Sequence, residues 1–359
     1  MKKLFSTIIC CLICSTAFMQ VKPEWQDETI PFVGKEYPRT AFMTYSDVNK
    51  ARSNDFNTST DYKSLNGKWK FNWVSSYKKR PVNFYKTNFD DSTWEEIDVP
   101  ANWEVNGYGN ALYTNHPYEF CPRNPQPPLL PEENPVGSYR KYIEIPEQWN
   151  GKEIFLHIGA VKSGCYLYVN GTKVGYSEDS KVAVEYNITR YLKLGRNLIA
   201  LEVYRWSTGS YLECQDFWRI SGIERDVYLF AQLPLHLRDF SIRQDLDSTY
   251  KNGLFGLDLF MENTNPRQPG QVTVFYQLEN TSGTRVAEGT QTIKIDSATT
   301  VHFEAKIPQV APWTAETPNL YQLFIRIEQP GKTTEVIPFR VGFRKLEIRG
   351  NQFLVNGRA

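Results

Sequence analysis

Two segments of this sequence crowd amides, carboxylates and arginines among aromatic rings. The first runs from Val99-Pro100-Ala101-Asn102-Trp103-Glu104 to Tyr113-Thr114-Asn115-His116-Pro117-Tyr118. The second runs from Arg205-Trp206 through Tyr211, Glu213, Cys214 and Asp216 to Trp218-Arg219. These residue types suit a sugar, because carboxylates and amides accept bonds from adjacent hydroxyls and flat aromatic faces cover apolar C–H edges. A plainer reading fits the same residues: a loop in which Asp216 and Arg219 satisfy one another beside buried aromatics. The residues alone favour the plainer one. Other chemistries lack their motifs. There is no Gly-x-Ser-x-Gly, no P-loop and no Gly-x-Gly-x-x-Gly, since Gly107-Tyr108-Gly109 goes no further. Glu95-Glu96, Glu132-Glu133 and Glu178-Asp179 invite a glycosidase reading, which for a retaining enzyme requires two carboxyls about 5 Å apart across a bound sugar. Sequence neighbours on a strand point to opposite faces, so these pairs are expected to be solvated loop charges. His116, His157, His236 and His302 lie far apart, and no His-rich metal site is expected.

The elements that must position these residues read as β-structure. Trp69, Phe71 and Trp73 alternate with Lys68, Lys70 and Asn72, the period of a half-buried strand. Further strand patterns cover residues 139–145, 153–158, 166–169, 172–176, 198–206 and 227–230. Asn170-Gly171 between two of them is a strong hairpin signal, because both residues tolerate positive φ. Between Pro122 and Pro135, six prolines remove so many donors that no sheet interior could hold the stretch. Helical periodicity never persists beyond two turns. Residues 61–232 therefore read as an all-β, double-sheet jelly roll preceded by an irregular segment over 21–60. From 233 to 344, seven shorter runs near 238–244, 254–263, 271–278, 285–294, 299–307, 320–328 and 333–344 fit an immunoglobulin-like sandwich without its disulfide. Residues 345–359 form the start of a linker: Leu346-Glu347-Ile348 and Phe353-Leu354-Val355 flank Arg349-Gly350-Asn351, a hairpin just before the chain stops at Ala359. That is expected for a chain that has been cut off.

The 359 residues suit about two domains. Lys and Arg number 41 against 40 Asp and Glu, for a net charge of +1, which argues against a nucleic-acid binder held by phosphates. A mean hydropathy of −0.49 excludes a polytopic membrane protein. Met1-Lys2-Lys3, the apolar run Leu4 to Ile13 and the small residues Ser15-Thr16-Ala17 form the pattern of a secretory signal over residues 1–20, too short to span a bilayer. Export, to the periplasm, is the expectation. Ile13 is too bulky for the position before a lipidated cysteine, which argues against an anchor at Cys14. Beyond this segment Cys121, Cys165 and Cys214 allow at most one disulfide, and all three are expected as buried thiols.

The stretches Ser64 to Phe71, Pro100 to Asn115, Glu133 to Tyr139, Arg205 to Val227, Trp313 to Tyr321 and Val341-Gly342-Phe343-Arg344 resemble the amino-terminal part of family-2 glycoside hydrolases. Among these, the large bacterial β-galactosidases are the most similar. The likeness covers roughly residues 24 to 359. It implies a jelly roll, an immunoglobulin-like sandwich and then a (β/α)8 barrel of about 250 residues, for which no sequence remains. That barrel would carry both catalytic glutamates and most magnesium ligands, so no catalytic residue is expected in this chain. Two matched positions carry implied roles. Asn115 would contact sugar hydroxyls, and Asp216 would bind a galactosyl hydroxyl and ligate a sodium ion. Cys214 stands where the family often has Asp, which puts local hydrogen bonding there in doubt. The substrate implied is a β-galactoside, and a homo-oligomer is allowed because large relatives often form one. Two alternatives stay open: a free-standing carbohydrate-binding module, and a β-glucuronidase or β-mannosidase of the same architecture. The cut-off hairpin argues against the first, and the Asn115–Asp216 pair against the second.

Overall fold

The computed structural model describes residues 22–213 and 215–359. The expected signal segment, with Cys10, Cys11 and Cys14, and also Cys214, lie outside the described residues. The first domain packs a seven-stranded sheet against a four-stranded one. The larger sheet runs, in spatial order, Phe32–Val33, Thr172–Ser177, Gly164–Val169, Arg196–Tyr204, Val136–Glu144, Gly67–Val74 and Glu95–Val99. The smaller runs Val184–Asn187, Glu153–Ile158, Val227–Gln232 and Tyr62–Ser64. Every pairing is antiparallel, which gives the jelly roll anticipated from period-two alternation. Trp69 and Phe71 are buried between the sheets with Leu156, Leu167, Leu201 and Leu229, whereas Trp73 packs only at the rim. Asn170 and Gly171 take φ of 50° and 87°, as the hairpin turn requires.

Glycine is demanded at Gly137. A Cβ there would sit 2.5 Å from the Trp103 ring and 2.8 Å from Phe71, so the strand and the indole approach one another only without a side chain. Trp103 is itself fully buried and donates its ring N–H to the Tyr139 hydroxyl.

The second domain is a sandwich of three and four strands. Leu235–Leu246, Gly253–Asn263 and Ala298–Ile307 form one sheet, and Arg285–Ile295, Gly270–Glu279, Tyr321–Glu328 and Glu335–Val341 the other. All seven runs anticipated from the sequence are strands, and the structure is of the immunoglobulin-like type. The hairpin Leu346–Arg349 with Gln352–Val355 follows. No barrel occurs among the described residues.

Residues 22–60 hold a two-residue strand, short 3₁₀ turns and the helix Val48–Ser53, capped by Asp47, whose carboxylate accepts from Lys50 N at 3.0 Å. The segment straps the two sandwiches together. Arg39 pairs with Glu185 of the first domain at 2.8 Å, Thr40 N donates to Asp239 of the second at 2.9 Å, and Tyr45 exchanges backbone bonds with Val336. Beneath it, Met43, Tyr45, Phe155, Phe230, Phe324 and Val336 form an apolar cluster spanning both domains.

Candidate sugar-binding site

The two aromatic-polar segments meet as a two-stranded ribbon. Leu112–Thr114 pairs antiparallel with Phe217–Arg219, with Tyr113 opposite Trp218 and Thr114 opposite Phe217. The pairing ends at Thr114 and Phe217, so Asn115, which follows Thr114, and Asp216, which precedes Phe217, leave the ribbon at the same end. Both are exposed. Asp216 Oδ1 accepts a bond from the Tyr113 hydroxyl at 2.8 Å, which raises the phenol above its usual pKa. Tyr113 and Trp218 are each about half exposed and meet edge to face at 5.6 Å. Aromatic faces, an amide and a carboxylate are therefore presented together on one projecting element.

The ribbon stands on buried charge. Arg205, 8% exposed, donates to the carbonyls of Asn110 at 3.2 Å and Arg219 at 3.1 Å, clamping both strands from below. Its guanidinium pairs at 3.2 Å with Glu104, whose other oxygen accepts from Ser221 N at 2.7 Å. Burial pushes the Glu104 carboxyl above its ordinary pKa, opposed by the Ser221 N–H and the Arg205 charge. Arg219 lies 3.4 Å from Glu119, and Glu119 accepts from the Trp206 indole at 3.3 Å. The pairing of Asp216 with Arg219 considered from sequence does not form. A strand separates their directions, so Arg219 turns inward to Glu119 while Asp216 reaches across the ribbon to Tyr113.

The turn that feeds Asp216 is held at several points. Glu178 is buried and accepts from the Thr208 hydroxyl, Gly209 N and, at 2.6 Å, the Tyr176 hydroxyl. This overturns the expectation of a solvated loop charge at Glu178. Burial raises its pKa, and those donors counter the effect. The other pairs are exposed as expected, although Glu95 and Glu96 sit on the strand Glu95–Val99 rather than in a loop. Glu213 accepts from Ser180 N at 2.7 Å, fixing the chain three residues before Asp216. Asn134, fully buried, clamps Trp206 with its amide, donating to the carbonyl at 2.7 Å and accepting from N–H at 3.1 Å. That clamp turns the chain away from the sheet after Tyr204, which is why the strand expected to reach Trp206 ends earlier. From the proline-rich stretch, the Leu129 carbonyl accepts from the Tyr211 hydroxyl. Cys165 is a buried thiol, but Cys121 is only half-buried, because the turn closed by its N–H to the Tyr118 carbonyl holds it near the surface.

A cavity of about 440 Å³ opens beside Asp216, lined also by Lys162, Lys181, Glu213, Phe217 and Arg219. Burial, then the neighbouring Lys181, lowers the Lys162 amine pKa. No group of three or more His, Cys, Asp or Glu that could hold a metal occurs among the described residues. Asp216 Oδ2 carries no hydrogen bond among them either.

The sequence could not reveal these supports. Glu104 and Arg205 stand within the polar-aromatic segments, but no spacing marks them as partners. Asn134 looks like any loop asparagine until its partner, 72 residues on, is brought beside it.

Residues 62–234 match the sugar binding domain of glycosyl hydrolases family 2, and residues 235–344 match a second domain described as glycosyl hydrolases family 2. The chain belongs to this family, as a portion bearing its two amino-terminal β domains. A β-galactosidase of Priestia megaterium is 36% identical over 342 residues, 94% of this chain and 33% of its own. One of Halalkalibacterium halodurans is 38% identical over 298 residues, 82% of this chain and 29% of its own. The chain thus spans about a third of the length of the curated relatives it matches. Among solved structures, Bacteroides uniformis β-glucuronidase 2 superposes with a TM-score of 0.67 at 23% identity, covering 83% of this chain and 34% of that one. That likeness concerns the fold. No helix among the described residues is long and apolar enough to cross a membrane.

Proposed function

We propose that the chain forms the amino-terminal part of an exported, periplasmic β-galactosidase that releases terminal β-D-galactose with retention. In this reading Asn115 and Asp216 form one wall of the sugar pocket, and the catalytic glutamates and most magnesium ligands belong to a barrel outside this chain. The observation that supports it is the ribbon end at which Asn115 follows Thr114 and Asp216 precedes Phe217, both exposed, on a ribbon that stands over the buried Glu104–Arg205 pair. Asp216 would accept from a galactosyl hydroxyl through the oxygen that Tyr113 does not occupy. A carboxylate oxygen is also a suitable ligand for sodium. The remaining ligands would come from elsewhere, and nothing in the proposed reaction is routed through the ion.

Relatives near 36–38% identity are named β-galactosidases, whereas the β-glucuronidase likeness rests on 23%; this favours galactosides. The basic segment and apolar run at the start support export, and the kinship with large relatives allows a homo-oligomer. The test is direct. Residues 22–359, incubated with a chromogenic β-galactoside, should show no turnover, and measurable hydrolysis would contradict the assignment of catalysis to other polypeptide.

A further inference from the structure

A second polar cleft lies far from the ribbon in sequence, where the two sandwiches meet. Its volume is about 660 Å³, within the roughly 300–1,000 Å³ typical of small-molecule sites. The jelly roll contributes Asp61, Gln148, Asn150 and Lys152, and the second domain contributes Thr333 and Glu335. Glu335 opens the strand Glu335–Val341 and is 5% exposed. Its Oε1 is buried with no hydrogen-bond partner among the described residues. A buried acceptor left in that condition is destabilising, more so when charged, and a donor from a bound molecule would relieve it.

The neighbouring charges decide what kind of donor. Lys152 Nζ lies 2.5 Å from Asp61 Oδ1, and the Thr44 hydroxyl reaches Asp61 Oδ2 at 3.5 Å. The Lys152 ammonium is thus bonded to Asp61 and reaches Glu335 only through its charge, which leaves Glu335 Oε1 without a donor. A metal cation is disfavoured. Of the two carboxylates in the cleft Asp61 is already paired with Lys152, a second ammonium, Lys332, also lines the space, and no group of three or more His, Cys, Asp or Glu that could hold a metal occurs among the described residues. A neutral hydroxylated molecule meets no such repulsion. Its hydroxyls can donate to Glu335 and both donate to and accept from Gln148, Asn150 and Thr333.

We infer that this inter-domain cleft is a second, non-catalytic binding site for a neutral polyhydroxylated ligand of monosaccharide size, with the Glu335 carboxylate as its buried anchor. The cleft shares no lining residue with the cavity at Asp216. It joins residues of both domains, so occupancy would also tie the sandwiches together.

The test is a titration of the full chain with D-galactose, D-glucose and sorbitol by ligand-observed NMR, repeated on three variants and a combination of two of them. Saturable binding of at least one of these is expected. At pH 8, where the Glu335 carboxyl is ionised, Glu335→Gln removes the charged acceptor and should weaken binding roughly ten-fold. Gln148→Trp, at an exposed position on the cleft wall, should abolish binding by filling the space, with an unchanged thermal midpoint showing that the variant is folded. Asp216→Ala should leave this binding intact, which separates the site from the ribbon. Sorbitol binding as well as the hexoses marks a general polyol site, and a preference for the hexoses marks a pyranose site; either supports the inference. No binding by any of the three, or binding that persists when Gln148→Trp is combined with Asp216→Ala, overturns it.

Discussion

The Tyr113 hydroxyl donates to Asp216 Oδ1 at 2.8 Å across a two-residue rung of an exposed ribbon. This bond fixes which carboxylate oxygen is turned outward. In a polypeptide that joins this chain to its catalytic part, Tyr113→Phe should raise KM for a β-galactoside by roughly three- to ten-fold, the worth of one hydrogen bond that orients the acceptor. Steady-state kinetics measure this directly, and an unchanged KM would show that Asp216 needs no such guide.

The ribbon's foundation should be costly to disturb. The Glu104 side chain is fully enclosed and that of Arg205 nearly so. Arg205→Ala strips one partner from a buried pair and also frees the Asn110 and Arg219 carbonyls. A loss of about 3–5 kcal/mol is expected, read as a lower midpoint in urea. A loss below about 1 kcal/mol would mean that the pair is effectively solvated.

Asn134→Ala removes both bonds from a fully buried side chain to the partly buried Trp206 backbone. The expected cost is about 2–3 kcal/mol, since a partly buried N–H and C=O are both left unsatisfied. Hydrogen exchange at the Trp206 amide should quicken accordingly, and unaltered protection there would show that another group takes over.

Glu335 predicts a pH signature. Burial first, then the Asp61 charge, pushes its carboxyl up to about 7, against the pull of Lys152. A carboxyl whose folded pKa exceeds its unfolded value holds its proton more tightly when folded. Its unfavourable contribution is absent below about pH 4.5, grows as pH rises to about 7, and is constant above that. Glu335→Gln should therefore be more stable than the parent by roughly 3 kcal/mol at pH 8 and by little at pH 4. Parallel urea-midpoint profiles across that range would refute the shift.

These cases also show where sequence reading succeeds. Alternation at Trp69 and Phe71 and the Asn170-Gly171 turn are local signals, and the structure carries both through to the jelly roll. The seven strands of the second sandwich were equally plain, because each is a short periodic run closed by turn residues. The ribbon residues Asn115 and Asp216 stood out only through resemblance, since a carboxylate near tryptophan reads equally well as packing. Glu178, Glu335 and Asn134 were opaque for one physical reason. Each is a polar side chain whose burial depends on partners brought together by long-range pairing, and a window of sequence around it contains none of them.

The most direct test of the central claim is the affinity and sodium dependence of Asp216→Ala in a polypeptide that carries this chain together with the proposed catalytic barrel. A charged acceptor lost from a buried sugar hydroxyl should raise KM for a chromogenic β-galactoside by roughly ten- to a hundred-fold and abolish activation by sodium. Unchanged KM at every sodium concentration would remove Asp216, and with it the ribbon, from the sugar pocket.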